Sequence, residues 1–285
     1  MYESHWGLTR PPFGGELPTS GFLGSRSHQA ALLKLRYLIE TSKGAGLLAG
    51  QPGLGKTTVL EMLSRELQAD ENSKNSESGT ARYRFVPVLF PQLTPSELLG
   101  YIASKLVHAS TGDHRPGTAD SSLQVIEQHL TSLTAAGTKT ILLFDDAQLI
   151  EDRRVFGVIQ SLMNFSQPGK MELVTIFAGQ LELVSAIKRM RPLDERMAFK
   201  CLLLPLSLEE TTQYVTGRMA AAGCRANVFS TDALQAIHLL SAGVPRRINR
   251  LCDFALLVGY SENLARLTAE HIHAVAEEML SAMAA

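Results

Sequence analysis

"AGLLAGQPGLGKTT", residues 45–58, decides how this chain is built. An apolar run of strand length enters a glycine-rich turn, and a helix is predicted from Lys56 to about Gln68. Gly50, Gly55, Lys56 and Thr57 complete the phosphate-loop pattern G-x-x-x-x-G-K-[ST]. Glycines there let main-chain N–H groups curl around a phosphate, and the helix adds its positive N-terminal end. The binding residues expected are Gly50, Gln51, Pro52, Gly53, Leu54, Gly55, Lys56, Thr57 and Thr58. Lys56 reaches the β- and γ-phosphates in this reading, and the Thr57 hydroxyl ligates Mg²⁺. The stretch reads as a nucleotide site for ATP with Mg²⁺ as its metal.

Such a site needs a second strand ending in an aspartate beside the metal, and "ILLFDDAQLI" (141–150) supplies one. Asp145 is expected on Mg²⁺, largely through water. Asp146 is then placed to polarise an attacking water. The alternative makes Asp146 a cap or an ion-pair partner at the strand end.

Working outward, "TILLFDD" (140–146) and "LVTIFAG" (173–179) are near-continuous apolar runs, as in parallel strands covered on both faces. "YRFVPVLF" (83–90) and "FKCLLLPL" (199–206) complete five predicted strands. A helix is expected from about Gln29 to Ile39, with Leu32, Leu35 and Ile39 on one face. Another begins after Thr94, with Pro95 first and Glu97 closing a capping box. A third runs to about Ala135. Residues 70–81 and 110–120 have few apolar anchors and read as flexible surface segments.

From Ser207 onward the pattern is helical only. Ser207 and Glu210 form a capping box, and further helices are read at 230–240, 246–260 and 268–283. The fold class expected is α/β: a phosphate-loop core whose parallel five-stranded sheet lies between helices, then a small all-helical lid. The boundaries expected are an arm at 1–25, the core at 26–206 and the lid at 207–285.

Charge and cysteine content narrow the class. Lys plus Arg is 27 against 28 for Asp plus Glu, so there is no strong basic footprint for nucleic acid. Three dispersed cysteines without CxxC spacing argue against a disulfide framework or a zinc site. No apolar stretch approaches a bilayer span and no signal-peptide pattern opens the chain, so a cytoplasmic location is expected.

With these pieces placed, the chain resembles the AAA+ ATPases of the ExeA type, known from bacterial general secretion. The transposition ATPases of the TnsC/TniB type are relatives of the same broad group. "HWGLTRPPFGG", "GFLGSRSHQAALLKLRYLIE", "LLAGQPGLGKTT", "LLFDDAQ" with "FAGQLEL", and "SAGVPRRINRLCDFALL" carry the likeness over nearly the whole chain. The resemblance implies that Gln180 is a polar sensor of the γ-phosphate, against an ordinary surface glutamine. It implies that Arg246 is the lid arginine; Arg247 and Arg250, on the same helix, are accounted for by solvent exposure or acidic neighbours. It implies an arginine finger in "RMRPLDERMAF" (189–199), best matched by Arg196 with Arg191 as fallback. The alternative for Arg196 is a salt bridge with Asp194 or Glu195. A finger acts only in a homo-oligomer, in which it completes a neighbour's site. The arm is expected near the adenine through Pro12 and Phe13, or else docked by ordinary hydrophobic contact. Where the family usually has Glu, Asp146 is one methylene shorter, and slower hydrolysis is expected. Secretion members continue into a membrane span and a peptidoglycan-binding module, and neither is expected in a chain ending at Ala285.

Three functions compete. The first is an ATP-hydrolysing oligomeric switch that works on an unknown protein partner. The second is an ATP-dependent assembly factor on duplex DNA, with contacts at Arg153/Arg154 or Lys188/Arg189/Arg191. The third is a scaffold that binds ATP and hardly hydrolyses it.

Overall fold

The computed structural model of the chain describes residues 1–14, 25–73, 82–88, 92–107, 118–166 and 169–284. They fall into two compact units. One comprises Ser27–Pro52 and Lys56–Leu203; the other comprises Met1–Arg26, Gly53–Gly55 and Leu204–Ala285.

The first unit is α/β. Its strands are β1 (Ala45–Ala49), β2 (Arg82–Val88), β3 (Thr138–Phe144), β4 (Leu173–Gly179) and β5 (Met197–Leu202). They form one sheet in the order β2-β3-β4-β1-β5, with every pair parallel. The helices are α1 (Arg26–Thr41), α2 (Lys56–Ser73), α3 (Pro95–Val107), α4 (Ala119–Ala135), α5 (Arg153–Phe165), α6 (Leu181–Lys188) and α7 (Arg191–Asp194). β1 and β4 are buried along their whole length, which is why both read as unbroken apolar runs. On one face, Leu47, Leu142, Phe144, Leu173 and Phe177 join a single core cluster with α3, α4 and α5. Parallel strands gather their carboxyl ends on one edge, and an open sheet of this kind binds ligands there.

Several boundaries differ from those read in the sequence. α2 continues to Ser73, five residues past the expected end, so 70–73 are helical. The remainder of the expected flexible segment, 74–81, lies outside the described residues, as do 108–117, the last two residues of "YRFVPVLF" and the "GFLG" of 21–24. β5 starts at Met197 and ends at Leu202 rather than Leu206, because the following chain leaves the ladder. β3 ends at Phe144, so both aspartates lie just beyond the strand. The Thr94 capping box is present: Thr94 N donates to Glu97 Oε2 at 2.8 Å, and Glu97 N donates back to Thr94 Oγ1 at 3.4 Å.

The second unit is helical: α8 (Leu208–Ala221), α9 (Thr231–Ser241), α10 (Pro245–Ser261) and α11 (Ala269–Ala284). Ser207 and Glu210 cap α8 reciprocally, and Pro245 opens α10 at a position where its missing N–H costs nothing. Gly243, at φ +68, precedes it, and a β-carbon there would lie 2.2 Å from Leu206 O. The arm is part of this unit. Tyr2, Trp6, Leu8 and Phe13 are buried with Val215, Ile237, Ile248, Leu256 and Leu267. Trp6 Nε1 donates to Leu256 O at 3.0 Å, and the buried Arg218 donates from Nε to Pro12 O at 2.6 Å and from Nη1 to Tyr214 Oη at 2.8 Å. The Phe13 ring meets Phe229 edge-on at 6.4 Å, with the Arg218 guanidinium 5.8 Å away. None of the helices among the described residues is long and apolar enough to cross a membrane.

Candidate functional site

The phosphate loop leaves β1 at Ala49, and Gly50 N donates to Gly179 O at 3.2 Å, which ties the loop's start to the end of β4. Gln51 and Pro52 are exposed, Leu54 is fully buried, and Thr58 is half-buried. Lys56 opens α2, and its side chain turns inward. Only 8% exposed, it donates from Nζ to Gly50 O at 2.9 Å and to Gln51 O at 3.2 Å. A buried ammonium needs such acceptors. Here they are carbonyls of the loop itself, so the cation sits inside the loop.

One residue on, the Thr57 hydroxyl donates to Asp145 Oδ2 at 2.6 Å. This contact joins the first turn of α2 to the end of β3, residues 88 positions apart in the chain. Asp145 Oδ1 accepts the N–H of Asp146 at 2.9 Å. Both carboxylate oxygens of Asp145 are therefore engaged, and its orientation is fixed from two sides. Behind the pair, the rings of Phe144 and Phe177 stack at 5.3 Å and hold the ends of β3 and β4 together.

Asp146 is exposed and takes left-handed backbone angles, φ 47 and ψ 39. Asp tolerates this conformation better than most residues, and its occurrence beside the phosphate loop is the kind of local strain found at functional positions. Asp146 opens a short 3₁₀ turn, Ala147–Leu149, but its side chain makes no capping bond. Nor does a basic residue pair with it among the described residues. Its Oδ1 accepts instead from Gln148 Nε2 at 3.0 Å, and Gln148 Oε1 accepts the N–H of Gln180 at 3.0 Å. Gln180 follows β4 directly and precedes α6, where its side chain makes no cap. The structure thus brings Lys56, Thr57, Asp145, Asp146 and Gln180 to one edge of the sheet. Sequence reasoning gave Gln148 no role, although it quoted the residue within "LLFDDAQ".

The arginines are distributed differently. Arg196 is exposed, and its guanidinium donates to the side-chain oxygen of Asn164 on α5. Neither acid proposed as its partner holds it: Asp194 accepts from Lys200 at 2.6 Å, and Glu195 pairs with Arg191 at 2.9 Å. Arg196 is anchored through its main chain, because its carbonyl accepts Ala45 N at 3.0 Å at the foot of β1. In the helical unit, Arg246 donates its main-chain N–H to Gly53 O at 3.2 Å and leaves its side chain exposed, as do Arg247 and Arg250.

Comparisons with known proteins agree with this architecture. The AAA domain family matches residues 39–187. General secretion pathway protein A of Aeromonas hydrophila is 30% identical over 285 residues, covering 98% of this chain and 48% of that protein. The chain therefore spans about half the length of the curated relative it matches. Among solved structures, Drosophila ORC bound to DNA superposes with a TM-score of 0.73 at 20% identity, over 98% of this chain and 66% of that one. Cdc6p from Pyrobaculum aerophilum superposes with a TM-score of 0.69 at 16% identity, over 94% of this chain and 70% of that one. At these identities the structural likeness is one of fold. Phosphate loop, parallel sheet order, helical second unit and family match converge: the chain belongs to the AAA domain family, as an AAA+ ATPase similar to the ExeA-type general secretion proteins.

Proposed function

We propose that this AAA+ chain binds Mg-ATP at Gly50–Thr58, hydrolyses it to ADP and phosphate, and works as an oligomeric switch. The observation that carries the proposal is the 2.6 Å contact between Thr57 and Asp145, with Asp146 one residue further on. A hydroxyl and a carboxylate converging at a helix N-terminus are hard oxygen donors, the set that suits Mg²⁺ shared with phosphate oxygens. Thr57 and Asp145 would hold the ion. When bound, it offsets phosphate charge that would otherwise repel an attacking water.

The chain's own groups account for the remaining roles. Main-chain N–H groups of the loop and the Lys56 ammonium bind the phosphates. Asp146 accepts a proton from the attacking water. The Gln180 side chain and the Arg246 guanidinium are assigned to the terminal phosphate. Arg196, exposed and anchored by its carbonyl, is assigned to the site of an adjacent copy, which makes a second copy of this chain the first partner proposed. A protein target and duplex DNA remain the candidates for what the switch acts on, and a cytoplasmic location is part of the same reading.

The test is ATP binding by calorimetry and hydrolysis across a range of protein concentrations, with and without duplex DNA at low salt. Wild type, Asp145→Asn, Asp146→Asn and Arg196→Ala are compared. Specific activity that rises with concentration and falls at least about 100-fold in Asp146→Asn supports a shared site with Asp146 as base. Arg196→Ala should lose a similar factor while still binding ATP. A metal-replete wild type that binds no ATP would sink the proposal. DNA stimulation that disappears as salt is raised would identify duplex DNA as the target.

A further inference from the structure

We infer that Gln148 is a positioning residue, which fixes the Asp146 carboxylate and ties it to the end of β4 through Gln180. The inference rests on the hydrolytic reading above and goes beyond it by adding a residue to the site. Asp146 is exposed, and a side chain at the surface is free to rotate about χ1 unless something engages it. The Gln148 amide does so. Its nitrogen donates to Asp146 Oδ1 at 3.0 Å while its oxygen accepts Gln180 N–H at 3.0 Å.

A primary amide at this reach offers a donor at one end and an acceptor at the other. Glutamate would keep the acceptor but set a second carboxylate against Asp146. Leucine would lose both bonds, and asparagine would fall one methylene short. The surroundings are shaped to the amide as well. The 3₁₀ turn that aims it is closed by Leu149 N donating to Asp146 O at 2.9 Å, over a fully buried Ala147. Gly179 leaves the amide its space: a β-carbon there would lie 2.6 Å from Gln148 Oε1 and 2.6 Å from Leu183 Cδ2.

The consequence is mechanical. Gln180 is the residue assigned to the terminal phosphate, and its main chain is bonded to the group that orients the proton acceptor. A displacement at Gln180 is therefore passed to Asp146 through one side chain.

A double-mutant cycle on the full chain separates this role from a merely structural one. Gln148→Leu and Gln148→Glu are each made alone and in an Asp146→Asn background, with kcat, KM for ATP and ADP affinity measured for all. Expected for both single variants is a fall in kcat of about 10–100-fold, with KM and ADP affinity within about twofold of wild type. In the Asp146→Asn background the further loss should be less than about twofold, because the group being positioned is already gone. A full-sized loss in that background overturns the inference, as do an unchanged kcat and a loss of ADP affinity matching the loss of rate.

Amide hydrogen exchange at Gln180 gives a readout independent of turnover. Gln148→Leu should speed exchange about tenfold or more, and Asp146→Ala should leave it protected. Unchanged protection in Gln148→Leu would sever the link to β4. A wild type that binds ATP but never turns it over overturns the hydrolytic reading, and the inference with it. That outcome is told apart because the Gln180 amide responds to Gln148→Leu all the same.

Discussion

Thr175→Val should make the α/β unit more stable. Thr175 lies in the middle of β4, wholly buried, and its hydroxyl has no hydrogen-bond partner among the described residues. Thr140 on β3 is in the same condition. The register pairs Thr140 with Leu173 and Leu142 with Thr175, so the two hydroxyls are diagonal neighbours on one face of the sheet. That face meets the core cluster of Leu142, Phe144, Leu173 and Phe177. A buried hydroxyl without a partner costs about 1–3 kcal/mol of desolvation, and valine has nearly the same shape with a methyl in its place. A gain of about 1–2 kcal/mol is expected, equivalent to about 2–8 °C in the Tm of that unit. Urea and thermal unfolding followed by far-UV circular dichroism measure it, with Thr140→Val and the double variant alongside. A loss of about 1 kcal/mol or more in Thr175→Val refutes the reasoning, because it would mean that the hydroxyl is satisfied. Non-additivity beyond about 0.5 kcal/mol would further show that both hydroxyls share one bridging group, such as a buried water.

Trp6→Ala should destabilise the helical unit by about 3–5 kcal/mol, since it empties a buried indole site and removes the indole's hydrogen bond to Leu256 O; urea unfolding checks this. Trp6 is the single tryptophan, so Arg218→Ala can be read from its emission, which should shift to the red at lower urea than in wild type. Tyr2 provides a pH test. Burial first, then its bond to Asp253, raises the phenol well above its ordinary value of 10.0, so the folded state favours the neutral form. Its contribution is complete below about pH 10 and is lost as pH rises beyond that. Wild type should therefore lose more stability than Tyr2→Phe between pH 9 and pH 11, and equal losses would contradict the assignment. Thr57→Ala should weaken Mg-ATP binding about tenfold while leaving metal-free ADP binding unchanged, as measured by calorimetry with and without EDTA.

The parts of the fold that were legible in sequence are those written in contiguous residues. A phosphate loop needs its glycines, lysine and threonine within one turn, and its flanking strand and helix follow from the same run. β3 and β4 announced themselves because strands covered on both faces carry no polar alternation. α8 was marked by Ser207 with Glu210. The features that escaped depend on distance in the chain. Gln148 gains its meaning from Gln180, 32 positions away, and from a turn whose left-handed start nothing in "DDAQ" discloses. Asn164 holds Arg196 across the same separation, while nearby Asp194 and Glu195 attracted the sequence reading. The apolar run "CLLLPL" also misled. Leu202 and Leu204 are each about half exposed, so hydrophobicity there does not signal burial and β5 stops early. α5 was not read at all, although Asp152 caps it with a bond to Arg154 N at 2.9 Å.

The docking of the arm sets an order of events during synthesis. Tyr2, Trp6 and Pro12 bond to residues 251, 250 and 206 positions downstream. Loop closure over such separations is slow, and a ribosome delivers these partners only after all five strands have been made. The α/β unit can therefore complete its sheet while residues 2–13 still lack their binding surface. During that interval Trp6 and Phe13 wait uncovered, and their apolar surface stays in water until α8 and α10 have been made.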